Sequence, residues 1–181
     1  MNSFAELIEK RRSVRKFTDE PLQPFEVEQI VKAGLIAPSS KNCRPCQFLL
    51  VEDKNALKAL SHCKSSGSAF LEHAAVAVVV MADPMISTAY VEDATIAATY
   101  VQLQAEDLGL GSCWIQVAGR ETSDGYDAEQ YVRDLLDIPL QLIVECIIAI
   151  GRKVDPLEPR KERNVQWEKV HIEKYTYESL E

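Results

Sequence analysis

The sequence predicts an α+β sandwich, and not a doubly wound Rossmann domain, on three observations. Two short runs rich in valine and isoleucine, Ala74–Met81 and Leu142–Ile150, the second interrupted only by Glu145, have the apolar character of strands covered on both faces. Several other segments carry apolar residues at helical spacing. Strands and helices alternate irregularly, without the repeated βαβ order of a parallel sheet. A chain of 181 residues, 46% apolar and 27% charged, can bury a core of its own. No internal repeat or linker divides it, so 1–181 reads as one domain.

Taken in order, Ser3-Phe4-Ala5-Glu6 has capping-box spacing and opens a helix with Phe4, Leu7 and Ile8 that runs to about Arg12. Val14-Arg15-Lys16-Phe17 alternates and reads as extended. Pro24 suits the first turn of a second helix with an apolar face of Val27, Ile30, Val31 and Leu35, ended by Pro38. Gln47–Val51 is a short strand, and Asp53 caps a helix carrying Leu57 and Leu60. Ala74–Met81 is a central strand. Ile86–Leu108 is a long helix, apolar on several faces, which calls for burial in the core or against another subunit. Ser112–Val117 is a strand. Asp127 caps a helix with Tyr131, Leu135 and Leu136, and Leu142–Ile150 is the second buried strand. Beyond Gly151 the chain is polar and proline-punctuated; Val165, Trp167, Val170 and Ile172 make packing on another surface the expectation for 152–181.

Charge narrows the function classes. Twenty basic and 28 acidic residues give −8, which argues against general nucleic-acid binding. Ten of the basic residues, with three acids, fall in Lys10–Lys16 and Arg152–Arg163, which total +7 and leave −15 for the rest. Such compact basic segments suit a small anion. The longest unbroken apolar run, Ala74–Ala82, is nine residues against the roughly 20 of a membrane span. The N-terminal stretch lacks an apolar signal core, and five cysteines do not suggest a secreted disulfide framework, so a cytoplasmic location is expected.

Three constellations could carry chemistry. In Arg11-Arg12-Ser13-Val14-Arg15, guanidinium forks and a hydroxyl match phosphate oxygens. Composition alone favours a solvated helix end, where cations offset the C-terminal dipole. Ala37–Cys46 is a polar loop bracketed by prolines; its Asn42 offers an amide donor and acceptor, and the plainer reading is a surface turn. Gly109 and Gly111 fail as a dinucleotide fingerprint, because they end a helix and no third glycine follows. Cys43-x-x-Cys46 admits a redox dithiol or, with His62 and Cys63, a weak metal site, but two ordinary thiols are the expectation and no metal is assigned.

Together RRSVRKF, APSSKNCRPCQF, a long helix ending in LGLGSCWI, an IGRK turn, PRKER and a VHIEKY tail resemble the small FMN-dependent nitroreductase family across Arg11–Tyr175. The resemblance implies a three-layer α-β-α sandwich with a central mixed sheet, in a domain-exchanging homodimer whose C-terminal extension packs on the partner. It implies FMN as cofactor and NADH or NADPH as reductant, with a nitroaromatic, quinone or enone as acceptor. Arg11, Arg12, Ser13 and Arg15 fall where the family holds the phosphate and pyrimidine side. Pro38, Ser39, Ser40 and Asn42 match the loop that reaches the flavin from the other subunit. Trp114, Ile115, Gln116 and Val117 match the strand passing the ring, partly by backbone, and Arg160 or Arg163 would return to the phosphate. No catalytic side chain is implied. The chain departs from the usual Gln-Pro-Trp after the Asn loop, having Arg44-Pro45-Cys46, which alters the pocket. A non-catalytic flavin sensor or carrier is the rival reading.

Overall fold

A computed structural model describes residues 3–154 and 165–175 of the chain. Ser3 caps α1 (Phe4–Lys10) with the full reciprocal capping box: its Oγ accepts from Glu6 N–H and the Glu6 carboxylate accepts from Ser3 N–H. The helix stops at Lys10, short of the expected Arg12, because Arg11 has already turned to an extended conformation. Segment 11–18 is held by isolated bridges, Ser13 to Ser112 in parallel and Phe17 to Lys153 in antiparallel, and forms no continuous strand.

Then follow α2 (Pro24–Leu35), β1 (Cys46–Val51), α3 (Lys54–Leu60), β2 (Val76–Ala82), α4 (Tyr90–Asp107), β3 (Gly111–Gln116), α5 (Ala128–Leu136) and β4 (Ile143–Gly151). Asp53 and Asp127 cap α3 and α5 by accepting from the N–H of Ala56 and Gln130. The start of α4 is later than the sequence suggests, since Asp83 ties the chain into a turn through the N–H groups of Met85 and Ile86.

The strands form one sheet in the order β1-β2-β4-β3, every neighbouring pair antiparallel. Its parallel component is the single Ser13–Ser112 bridge. Alternation along β2 and β4 builds two cores. Ala77, Val79, Ile147 and Ala149 face α3 and α5 through Leu57, Leu60 and Val132. Val76, Val78, Val80, Ile148 and Ile150 face α2 and α4 through Ile30, Ala94, Ala98, Val101 and Ala105. The outcome is the expected three-layer α-β-α sandwich. Among the described residues no helix is long and apolar enough to cross a membrane.

Small residues let α2 and α4 sit close. A Cβ on Gly34 would lie 2.8 Å from Phe48 and 3.1 Å from Val101. Burial on α2 accordingly falls on Ile30, Ala33 and Gly34, and Leu35 is left 58% exposed instead of joining the apolar face. The alanine face of α4 is in the core, while Val91, Ile96 and Tyr100 remain on its outer side with Phe4 and Ile8 of α1 also exposed. In the tail, Trp167 is 73% exposed, so the described residues do not cover it.

Candidate functional site

The basic segment is fixed by close approach to an edge strand. Val14 N–H donates to Ser112 C=O at 2.9 Å, and Val14 is buried against Gly111, where a Cβ would come within 2.7 Å of its side chain. A glycine is needed here for space, whereas Gly109 takes the left-handed turn (φ 76°) that ends α4. Phe17 packs over Gly151 in the same way. Arg11, Arg12, Ser13 and Arg15 thus gather beside the start of β3.

Cys113 registers this convergence. Burial raises its thiol pKa, opposed by Arg15, a hydrogen bond from Ser13, Arg11 and Lys64. Lys64 therefore belongs to the same cationic corner, a residue that the sequence reading did not single out; its signal was the Lys-Ser-Ser-Gly-Ser turn leading to Phe70. The Arg15 guanidinium lies 5.9 Å from the Phe70 ring centre. Among the described residues, no carboxylate pairs with Arg11, Arg12 or Arg15.

The second basic segment differs. Arg152 is spent on Glu26, at 3.0 and 3.2 Å, and on Glu20 at 2.6 Å, while Lys153 meets Glu106 at 2.7 Å. The first two cations of that segment are structural and do not serve an anion. Arg160 and Arg163 lie outside the described residues.

Along β3, Ile115 and Val117 bury their side chains in the core and can offer a ligand only backbone. Trp114 and Gln116 point to the other side and lock together: Trp114 Nε1–H donates to Gln116 Oε1 at 2.9 Å, and Gln116 Nε2 donates to Glu145 Oε1 at 2.9 Å. Glu145 sits at the register shift of β4, and its C=O accepts from both Val117 and Ala118 N–H. Beyond Ser112 the outer side of β3 faces no other described strand, which leaves an unpaired backbone edge.

The polar loop lies elsewhere. Pro38, Ser39, Ser40 and Asn42 precede β1, and Ser40 N–H donates at 2.7 Å to the buried Asp93 carboxylate in the first turn of α4, which also accepts from Ser87 Oγ at 2.7 Å. Because β1 and β3 are opposite edges, and Cys46 lies toward the Gln116 end, the loop and Ser13 occupy diagonally opposite corners of the sheet. Ser13 lies one spacing outside β3, and Cys46 pairs through Ala82 with Ile143, past the level of Gln116; four strand spacings across and about six residues along place them roughly 28 Å apart. One chain does not bring these two predicted parts together.

Burial, and then the Asp93 carboxylate, push the Cys46 thiol up to about 11, so Cys46 is not the lowered thiolate of a redox dithiol. Among the described residues no group of three His, Cys, Asp or Glu side chains could hold a metal ion. An open groove of about 510 Å³ lies apart from the cationic corner, bounded by Asp19, Leu22, Val27, Glu52 and Lys54.

The nitroreductase family model matches residues 8–74 and 64–152. A protein of Archaeoglobus fulgidus assigned as an NADH dehydrogenase/NAD(P)H nitroreductase is 33% identical over 159 residues, covering 86% of this chain and 88% of that protein. An FMN-dependent nitroreductase from Clostridium difficile R20291 superposes with a TM-score of 0.91 at 41% identity, covering 95% of this chain and all of that one. A nitroreductase-like protein of Desulfovibrio desulfuricans solved with FMN superposes with a TM-score of 0.77 at 25% identity, covering 97% and 99%.

Proposed function

The chain belongs to the nitroreductase family, and from that premise we propose that it is an FMN-dependent oxidoreductase passing electrons from NADH or NADPH to a small organic acceptor. The observation that carries the reading is the cationic corner at the start of β3, whose arginines meet no carboxylate among the described residues. Arg11, Arg12 and Arg15 with the Ser13 hydroxyl offer charged forks and a short neutral donor, and Val14 on Gly111 holds them together. That chemistry fits a phosphate of nearly two negative charges.

FMN held by these residues would supply the redox chemistry, hydride transfer between NADH or NADPH and a nitroaromatic, quinone or enone that would enter after the nicotinamide leaves. The protein's own part is positional. Arg11 and Ser13 hold the phosphate, and Arg12 or Arg15 stabilises negative charge developing at the pyrimidine edge. Arg160 or Arg163 is a further phosphate contact in this reading. Trp114 to Val117 line the ring, Ile115 and Val117 by backbone because their side chains anchor the strand. The Trp114–Gln116–Glu145 chain keeps that wall rigid before a ligand arrives. No side chain is assigned as a catalytic acid or base.

Pro38, Ser39, Ser40 and Asn42 reach the ring from a second copy of the chain. Two features support a homodimer: the diagonal separation of loop and basic corner, and the apolar residues left exposed on α1, α4 and the tail, including Ile172 at 84%. Purified protein should be yellow, be bleached anaerobically by NADH or NADPH, and regain colour with an acceptor. Colourless protein that binds no added FMN refutes the proposal. A flavin left oxidised by both nucleotides refutes the oxidoreductase and favours a carrier.

A further inference from the structure

Arg44 stands in the loop where a neutral glutamine is usual in the resembling pattern, and the flavin reading leaves it unused. Its backbone is left-handed (φ 51°), as are those of Lys41 (49°) and Asn42 (56°). Three non-glycine residues in this region within four positions are strained, and such strain persists only where surrounding contacts fix it. Those contacts are present. Ser39 Oγ accepts from Arg44 N–H at 2.9 Å, Asp93 holds Ser40, and Pro45 C=O accepts from Asp83 N–H at 3.1 Å.

The side chain is held as well. Arg44 Nε–H donates to Asn42 Oδ1 at 3.0 Å. This bond turns the Asn42 amide so that its Nδ2 donors face away from Arg44. It also consumes the Nε edge of the guanidinium and leaves the two Nη groups as a fork. Arg44 is exposed, and among the described residues no carboxylate meets that fork. A solvated surface arginine has no need of a strained backbone and a fixed Nε.

We propose that Arg44 is a specificity residue that recognises the carboxylate of an anionic electron acceptor through its two Nη groups while Nε stays on Asn42. The inference rests on the reading that the Asn42 loop faces the flavin of a second copy. In that arrangement Arg44, two residues past Asn42, stands beside the ring, where an acceptor must approach. A planar pair of donors matches a planar carboxylate. The same fork could also meet a phosphate of the reductant, so the test separates the two.

FMN-loaded protein, Arg44→Gln and Arg44→Lys are titrated with benzoate and with benzamide, read by the flavin absorbance, and FMN affinity is measured for each. The three proteins are then compared on 4-nitrobenzoate and 4-nitrobenzyl alcohol at saturating reductant. The expected result is tighter benzoate than benzamide binding, about tenfold for a charged hydrogen-bonded pair. Arg44→Gln abolishes that preference and lowers the nitrobenzoate-to-nitrobenzyl-alcohol ratio of kcat/KM by a similar factor, and Arg44→Lys keeps part of both. Ratios cancel any change common to both acceptors. Flavin-loaded protein that treats benzoate and benzamide alike overturns the role of Arg44 alone. So does an Arg44→Gln variant whose acceptor ratio is unchanged while its NADPH-to-NADH ratio shifts. Protein that takes up no FMN overturns this inference and the flavin reading together.

Discussion

Replacing Gly111 by alanine tests the link between core packing and the cationic corner. The added Cβ would lie 2.7, 2.8 and 3.0 Å from Cγ1, Cβ and Cγ2 of Val14. Carbon atoms rest at about 3.5–4.0 Å, so segment 11–15 has to retreat by roughly 0.8 Å. The same retreat stretches the 2.9 Å bond from Val14 N–H to Ser112 C=O past useful length. Losing that bond costs about 1 kcal/mol and the crowding about 1–3 kcal/mol, so Gly111→Ala should destabilise by roughly 2–4 kcal/mol. Urea unfolding at unchanged slope measures it, and FMN affinity should fall with it, because Ser13 and Arg15 ride on the same segment. Val14→Ala alone removes two buried carbons, about 1.6 kcal/mol; in the Gly111→Ala background it also removes the contacts at 2.7 and 3.0 Å but leaves the Cβ at 2.8 Å, so the crowding is relieved only in part. The double variant should therefore be more stable than the sum of the singles predicts by about 0.5–1.5 kcal/mol, part of the crowding cost. A Gly111→Ala protein as stable and as tight for FMN as the original, or strict additivity in the double variant, refutes the reasoning.

Arg11→Ala combined with Ser13→Ala should weaken FMN by at least about tenfold while riboflavin, which has no phosphate, changes little; equal losses for both ligands contradict the assignment. Asp93→Ala strands the Ser40 N–H and the Ser87 hydroxyl, at roughly 2–4 kcal/mol, and a melting temperature equal to the original excludes that role. Cys63 is fully buried and its pKa rises from 9.0 to about 11, chiefly through burial. The unfolded thiol loses its proton first, so stability should fall as pH rises from about 9 to about 11, by roughly 3 kcal/mol, and Cys63→Ala should flatten that slope.

What the sequence made legible was local or continuous. The caps at Ser3, Asp53 and Asp127 were readable because each oxygen meets an N–H three residues on. β2 and β4 were readable because a strand covered on both faces is apolar on both alternating sets of positions, with Glu145 at the register shift as the one polar side chain. Partnerships distant in sequence were hidden. Arg152 looks like part of an anion-binding run, but Glu26, 126 positions away, claims it, as Glu106 claims Lys153 across 47. The two glycines of LGLG look alike on paper, yet Gly109 serves a left-handed turn and Gly111 yields space to Val14. Of the candidate site, the residue types were readable from the motifs, whereas Lys64, Asp93 and the diagonal placement of the loop depend on the sheet order and its antiparallel register.

The diagonal corners have a genetic consequence. In a dimer of the kind proposed, each flavin site draws its arginines from one subunit and its Asn42 loop from the other. A chain lacking Arg11 and Arg15 and a chain lacking Asn42 are each inactive as pure dimers. Co-expressed, half of the randomly assorted dimers are mixed, and each mixed dimer holds one doubly defective site and one wholly intact site. Two null alleles should then complement to roughly one quarter of full activity by random assortment, whereas two lesions within the arginine segment should not complement at all.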